Sequence, residues 1–90
     1  MDFKKADFFR TSLNNADLSG ANLSYAYLTK ASLKGAKLKK ANLRGANLRD
    51  ADLTGADLTD ADLESTIFNK KTILPFNYEE ALKRGMILEN

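Results

Sequence analysis

One apolar residue recurs at every fifth position along most of this sequence. The fourteen members of this series are Phe3, Phe8, Leu13, Leu18, Leu23, Leu28, Leu33, Leu38, Leu43, Leu48, Leu53, Leu58, Leu63 and Phe68, and most have an Ala two positions earlier. On an α-helix, five residues advance by about 500°, so the series would wander around the cylinder. On a flat strand, an odd step reverses the face. Neither backbone keeps the whole series in one core.

A backbone that turns once in every repeat does keep the series together. The Ala and the Leu of one repeat, two positions apart on a short extended segment, point to the same side. The residue between them and the two residues after Leu then face outward, and the last two form a corner. Four glycines stand in the second corner place, where turn geometry favours Gly: Gly20, Gly35, Gly45 and Gly55. Four such corners would close one coil in about twenty residues, with successive coils about 4.8 Å apart.

The pattern Ala-(Asn/Asp)-Leu-x-x resembles that of pentapeptide-repeat proteins and covers residues 1–70. The resemblance implies an all-β solenoid, a right-handed quadrilateral β-helix of about three and a half coils. It also implies that the first and third residues of each repeat point inward. The departures from the pattern are Thr11 and Thr66 in the Ala place, and Tyr27, Lys37 and Ile67 in the Asn/Asp place.

Residues 71–90 differ in character and are predicted to form a C-terminal cap. Asn77 is a suitable N-cap for a short helix near residues 78–84, with acidic residues in its first turn, basic residues in its last turn and Gly85 after it. A solenoid needs its open apolar end covered. The residues expected to cover it are Phe76, Leu82, Met86 and Ile87.

No comparable cap precedes the first repeat, and the first coil instead contains Phe3 and Phe8. Two interpretations remain open. These rings plug the end of the core, or this end contacts an upstream segment or a second copy of the chain, which would give a homodimer through the N-terminal coil.

The composition argues against catalysis and cofactor binding. The chain contains neither Cys nor His, which removes thiolate ligands, disulfides and the commonest general base. One Asn or Asp per repeat is expected to form a structural ladder by bonding nearby backbone groups, because a Ca²⁺ site needs six to eight oxygens converging on one point. We therefore predict no enzyme, no metal site and no cofactor.

The charges are divided unevenly along the chain. Residues 1–49 hold ten Lys and Arg against three Asp, whereas residues 50–90 hold four against nine Asp and Glu. Adding twenty to a basic position often gives an acidic one, which predicts ion pairs between coils: Lys30–Asp50, Lys37–Asp57, Lys40–Asp60 and Arg44–Glu64. Because the basic residues encircle the coil without lining one groove, we do not expect nucleic-acid binding.

Three aromatic residues occupy outward places: Phe9 and Tyr25 at corners, and Tyr27 on a flat side. Gly45 lies one coil beyond Tyr25 and leaves room for its ring. Exposed aromatic residues are enriched in interfaces, although scattered ones are also normal on protein surfaces. Phe9, Tyr25 and Tyr27 are thus a candidate interaction surface.

These observations predict a non-enzymatic scaffold or protein–protein interaction module whose protein partner the sequence does not identify. The resemblance suggests two other interpretations. One is a DNA mimic that regulates a topoisomerase, which the short, slightly basic chain disfavours; the other is the soluble repeat domain of a larger, membrane-attached protein.

We see no signal peptide or apolar run long enough to span a membrane, so the default expectation is cytoplasmic. Such repeats abound in photosynthetic bacteria, which suggests a cyanobacterial origin.

Overall fold

The computed structural model of the protein describes residues 1–89. Its backbone winds in coils of twenty residues, so that each flat side stacks on the flat side one coil earlier. On one side, for example, parallel bridges join Asp2 to Asn22, Asn22 to Asn42 and Asn42 to Asp62. Each flat segment contains only Ala-x-Leu between two corners, and for that reason most segments form a single bridge. The predicted twenty-residue coil is therefore present.

The interior of the coils contains almost only Ala and Leu. From Ala21 to Leu58, every inward residue is at most 6% exposed. Each of these side chains lies between its own coil and neighbouring coils or, near Leu58, the C-terminal segment. Phe3, Phe8 and Leu13, in the first coil, are partly buried and pack against this core.

The corners adopt the positive-φ backbone conformation that the positions of the glycines indicate. Residues in the second corner place have positive φ throughout, and the nine non-glycine residues there have φ between 58° and 62°. Within each corner the Ala amide donates a hydrogen bond to the carbonyl of the preceding Leu, as Ala26 N does to Leu23 O at 3.1 Å. This closed turn is what redirects the chain once per repeat.

Two short strands and one helix lie in the last repeat and in the segment after it. Strand β1 spans Ile67–Phe68, helix α1 spans Tyr78–Lys83, and strand β2 spans Ile87–Leu88 and pairs in parallel with β1. The Asn77 side chain accepts a hydrogen bond from Glu80 N at 2.9 Å, which is the predicted N-cap. Gly85 has φ +90°, and a Cβ there would collide with the Glu64 carboxylate.

Helix α1 and the residues after it lie against the last coil. Ala81 and Met86 are buried, Phe76 packs partly against the core, and the Tyr78 ring meets Phe68 edge-on at 5.4 Å. The expected covering role of Leu82 and Ile87 is wrong, since their exposed fractions are 53% and 43%. A six-residue helix buries only a narrow stripe, here at Ala81, and the neighbouring Leu82 falls outside it.

Arg84 contacts the final coil through its guanidinium group. Its Nη2 donates hydrogen bonds to Leu58 O at 2.7 Å and to Ala61 O at 3.3 Å. Its Cζ also lies 5.2 Å from the centre of the Phe76 ring. The Arg84 side chain thus provides hydrogen bonds to backbone carbonyl groups of the last coil.

Two buried threonines in the Ala place bond to backbone carbonyls one coil earlier. The Thr66 hydroxyl donates to Leu43 O at 2.7 Å, and the Thr72 hydroxyl donates to Leu48 O at 2.8 Å. Both residues are nearly fully buried. Their hydroxyls are therefore satisfied inside the apolar core, which explains how Thr replaces Ala there.

Candidate interaction surface on one side of the coil

Phe9 and Tyr27 form a stacked aromatic pair on the outside of the coil. Their ring centres are 5.6 Å apart and their planes differ by 6°. Phe9 follows the flat segment that contains Asp7, and Tyr27 bridges Asp7 in the next coil, so the two rings become neighbours although 18 residues separate them. Their exposed fractions are 43% and 42%. The sequence placed both residues outward, and the structure brings them into contact.

Tyr25 lies at the corner that leads into the same side of the coil. It is more than half exposed and has φ 59°. A Cβ at Gly45 would collide with Cε1 and Cδ1 of Tyr25, which means that the ring lies directly over this glycine. The prediction that Gly45 makes room for the ring is confirmed.

The side of the coil that contains Tyr27 also carries two outward isoleucines. We call it the Tyr27 side; its members, joined by successive parallel pairings, are Asp7, Tyr27, Asn47, Ile67 and Ile87. Ile87 occupies an outward place in β2, which is why it is exposed and does not cover the core. Counting in steps of twenty from Tyr27 would have found both isoleucines in the sequence. The other sides carry mostly Asp, Asn, Ser and Lys in the equivalent place.

Positive charge flanks the aromatic pair. The Arg10 guanidinium carbon lies 5.3 Å from the centre of the Phe9 ring, which is a cation–π contact. Lys5 N bonds to Ser24 O, which places Lys5 beside Tyr25 at one corner. Arg10 N bonds to Thr29 O, which places Arg10 beside Lys30 at the other corner.

The ion pairs found differ from those predicted at a spacing of twenty. Among the described residues, salt bridges join Lys34 to Asp52 at 3.6 Å, Arg44 to Asp62 at 4.0 Å, and Arg49 to Glu89. The partners in the first two salt bridges are eighteen residues apart. Lys34 and Arg44 each occupy the first corner place, and their long side chains extend back over the flat side that precedes the corner. There they reach the carboxylate that stacks on that flat side in the next coil. The prediction of pairs at a spacing of twenty is therefore wrong, because side-chain direction and length matter as well as stacking.

The Asn and Asp residues in the second place of the repeat act structurally, as expected. In most repeats their Oδ1 accepts a hydrogen bond from the backbone amide two residues later, as Asn42 Oδ1 does from Arg44 N at 3.0 Å. Asp2 Oδ1 also accepts from Asn22 Nδ2 of the next coil at 3.4 Å. The ladder of side-chain to backbone bonds supports the corners.

The same bonds lower the pKa of three aspartates. The Thr54 hydroxyl and amide hold the pKa of Asp52 below its usual range, and the Thr59 hydroxyl and amide do so for Asp57. For Asp17 the main cause is the Ser19 amide. Each donor stabilises the carboxylate form.

The described residues offer little that could support chemistry. Within residues 1–89, no group of three or more His, Cys, Asp or Glu side chains is placed to hold a metal ion. A shallow depression is lined by Asp50, Asn69, Lys70 and Lys71. There Asn69 Nδ2 donates to Asp50 Oδ1 at 2.8 Å, so the polar groups bond to each other.

Phe3 and Phe8, the candidate contact at the N-terminal end, pack edge-to-face at 5.6 Å with an angle of 69°. Both rings are half-buried against the core. Both thus contribute to the core and keep part of their surface exposed.

None of the helices in the described part of the chain has the length and apolar character needed to cross a membrane.

Comparison with known proteins agrees with this architecture. The family described as "Pentapeptide repeats" matches residues 2–39 and 31–69, with 8 copies of the repeat. A pentapeptide repeat protein from the Arabidopsis thaliana thylakoid lumen is similar in structure, with TM-score 0.61 and 40% identity over 68% of this chain. This chain spans 45% of the length of that protein.

A second similar structure is a pentapeptide repeat protein from Nostoc PCC 7120, with TM-score 0.51 and 35% identity over 98% of this chain and 84% of that one. Among proteins with curated function, no sequence matches significantly. The stacked four-cornered coils define the chain as a right-handed β-helical solenoid. With the repeat match and these neighbours, the chain belongs to the pentapeptide repeat family, whose members are generally structural or interaction modules.

Proposed function

We propose that this chain is a non-enzymatic scaffold that binds a protein partner through its Tyr27 side. The observation that carries the proposal is the exposed, stacked pair of Phe9 and Tyr27, with Tyr25 at the adjacent corner. Aromatic rings supply much contact area for a small loss of side-chain entropy. Their backbone belongs to a hydrogen-bonded coil, so a partner would meet a preorganised surface.

The proposal includes the finer architecture. We describe the chain as about three and a half coils over residues 1–70, followed by a capping segment over residues 71–90. The contacts of Ala81, Arg84 and Met86 at the end of the last coil support the capping role of α1.

A scaffold fits these observations better than an enzyme does. From Ala21 to Leu58 the inward places are filled by Ala and Leu side chains that are at most 6% exposed, and most Asn and Asp side chains of the second place bond to the corners. Serine and threonine hydroxyls have no neighbouring His to activate them.

The charge arrangement does not favour a DNA mimic. A mimic needs a continuous row of carboxylates at a spacing that resembles phosphates. On one side of the coil, Asp17, Lys37 and Asp57 alternate in charge; on another, Asn22 and Asn42 separate Asp2 from Asp62.

Affinity capture with matched variants tests the proposed function. The immobilised protein is incubated with lysate of the organism that encodes it, and bound proteins are identified by mass spectrometry. The double variant F9A/Y27A is compared with wild type, and L82A is the control because Leu82 is equally exposed but lies on α1.

We expect the captured proteins to be lost with F9A/Y27A and retained with L82A. Circular dichroism and thermal unfolding of each variant verify that the coil is intact. Unchanged capture by a folded F9A/Y27A protein would remove the Tyr27 side from the proposal.

A further inference from the structure

We infer that the partner presents an acidic segment with aromatic or aliphatic side chains to the N-terminal half of the Tyr27 side. This inference rests on the proposed function and names the chemistry of the partner. Its basis is the group of cations that the protein leaves without a salt bridge beside the aromatic pair.

Three of the cations farther along the coil are paired internally, whereas Lys37, Lys39 and Lys40 form no salt bridge within residues 1–89. Lys34, Arg44 and Arg49 each form a salt bridge with a carboxylate of the protein. The cations around Phe9 and Tyr27 likewise form no salt bridge within residues 1–89: Lys4, Lys5, Arg10 and Lys30. The positive charge beside the aromatic pair is therefore available to a partner.

The corner geometry brings these unpaired cations to both edges of the Tyr27 side, next to Phe9 and Tyr27. Lys4 and Lys5 lie at the corner that Tyr25 shares, and Arg10 and Lys30 lie at the opposite corner. The carboxylate between the two edges in the first coil is Asp7, whose Oδ1 accepts from Phe9 N at 3.0 Å. One carboxylate against four cations leaves this surface positive, which attracts an acidic ligand.

The rings of Phe9 and Tyr27 lie beside these cations and Asp7, so charge alone does not describe the ligand. The exposed edges of Phe9 and Tyr27 can pack against an aromatic or aliphatic side chain. A segment that alternates acidic and apolar residues would match both features. In such a segment every apolar residue that contacts the rings has acidic neighbours, which can turn toward the cations at the two corners.

A polypeptide fits this surface better than a single-stranded nucleic acid. Proteins that bind single strands offer free ring faces on which bases stack. Here Phe9 and Tyr27 stack on each other, and the Arg10 guanidinium group occupies the Phe9 ring as well. The Phe9 ring thus already contacts two groups of the protein that would compete with a stacking base.

Fluorescence anisotropy with three labelled peptides and one oligonucleotide tests the inference. The first peptide is about ten residues long and alternates Glu or Asp with Leu or Phe. The second replaces the acids with Gln and Asn, and the third replaces the apolar residues with Ser. The fourth probe is oligo(dT) of similar length. We expect the first peptide to bind about tenfold more tightly than the others and to weaken as salt is raised.

Charge-matched variants then locate the site. R10Q/K30Q should weaken the first peptide about tenfold, whereas K37Q/K39Q removes the same charge on the opposite side of the coil and should leave its affinity nearly unchanged. Equal losses in the two double variants would show attraction by net charge only and overturn the inference. Tighter binding of the neutral peptide or of oligo(dT) would overturn it as well.

The two proposals fail in different ways. If capture from lysate depends on Phe9 and Tyr27 but the acidic peptide does not bind, the inference about partner chemistry is wrong and the scaffold function stands. If the peptide binds at Arg10 and Lys30 but capture ignores the aromatic pair, the proposed use of the Tyr27 side fails.

Discussion

The repeats and the C-terminal segment bury their apolar residues according to different rules. From Ala21 to Leu58, every inward Ala and Leu is at most 6% exposed, and position in the five-residue repeat decides which residues these are. After the repeats, neighbouring apolar residues differ sharply: Ala81 is fully buried, whereas Leu82 is 53% exposed. In the repeats a local pattern is enough, while the C-terminal segment depends on individual contacts with the last coil.

Replacing one inward leucine tests the first rule and should have the largest effect. L48A removes a fully buried side chain with coils on both sides, and we expect it to lower the free energy of unfolding by about 2–5 kcal/mol. The control is L82A, the same substitution at an exposed position, with an expected change within about 0.5 kcal/mol. Urea denaturation followed by circular dichroism measures both. Similar losses in the two variants would contradict the proposed difference between the regions.

Arg84 tests the dependence of the C-terminal segment on individual contacts. R84M removes the hydrogen bonds to Leu58 O and Ala61 O but keeps an apolar chain of similar length. We expect a loss of about 1–2 kcal/mol, moderated because the group is only partly buried and water can replace it. K83M, at the exposed neighbouring position, should change stability by less than about 0.5 kcal/mol. Hydrogen exchange should also show faster exchange of the α1 amides in R84M alone.

Thr66 tests whether a departure from the repeat is tolerated only because of its hydrogen bond. T66V keeps the shape of the side chain and removes the hydroxyl that donates to Leu43 O. Leu43 O also accepts from Ala46 N at 2.9 Å and remains bonded, so we expect a loss of about 1 kcal/mol. T54V is the exposed counterpart, where a smaller loss should appear. A higher free energy of unfolding in T66V would mean that the buried hydroxyl destabilises the folded protein.

Acid pH should produce the smallest of the four effects, and it should arise in the repeats. The pKa values of Asp17, Asp52 and Asp57 are lowered by donors in the fold. A lowered pKa in the folded state stabilises the protein above the ordinary pKa of aspartate, 3.8. This contribution is lost as pH falls through the folded-state value.

Thermal unfolding followed between neutral pH and about pH 2.5 measures this loss. The variant D52N/D57N keeps an oxygen acceptor in each place and should show a shallower decline of the melting temperature below about pH 4. An unchanged decline would assign the acid sensitivity to other carboxylates, such as those of the C-terminal segment.

Much of the fold could be predicted because its rules are local. The spacing of Leu43 and Leu48 excluded helix and flat strand, and Gly45 marked a corner that requires positive φ. The N-cap at Asn77 and the turn at Gly85 could also be predicted from the sequence, since each depends on residues a few positions away. Leu82 could not be placed correctly, because burial in α1 depends on how the helix meets the last coil, whereas the outward place of Ile87 follows from a step of twenty.

The candidate surface was predictable only in part. The five-residue pattern placed Phe9, Tyr25 and Tyr27 outward one by one, and the position of Tyr25 over Gly45 followed from a step of twenty. The stacking of Phe9 on Tyr27 combines a corner residue of one coil with a flat-side residue of the next. Salt bridges were missed for a similar reason: Lys34 reaches Asp52 across its own side of the coil.

The sequence by itself determined the coil, the identity of the inward residues and the conformation of the corners. These properties follow from the alternation of side chains and from backbone preferences, which act between residues close in the chain. Tertiary structure decided which outward side chains touch, which charges are neutralised and which residues of α1 face the last coil. Those outcomes depend on side-chain length and direction between segments about twenty residues apart, and the five-residue pattern does not specify them.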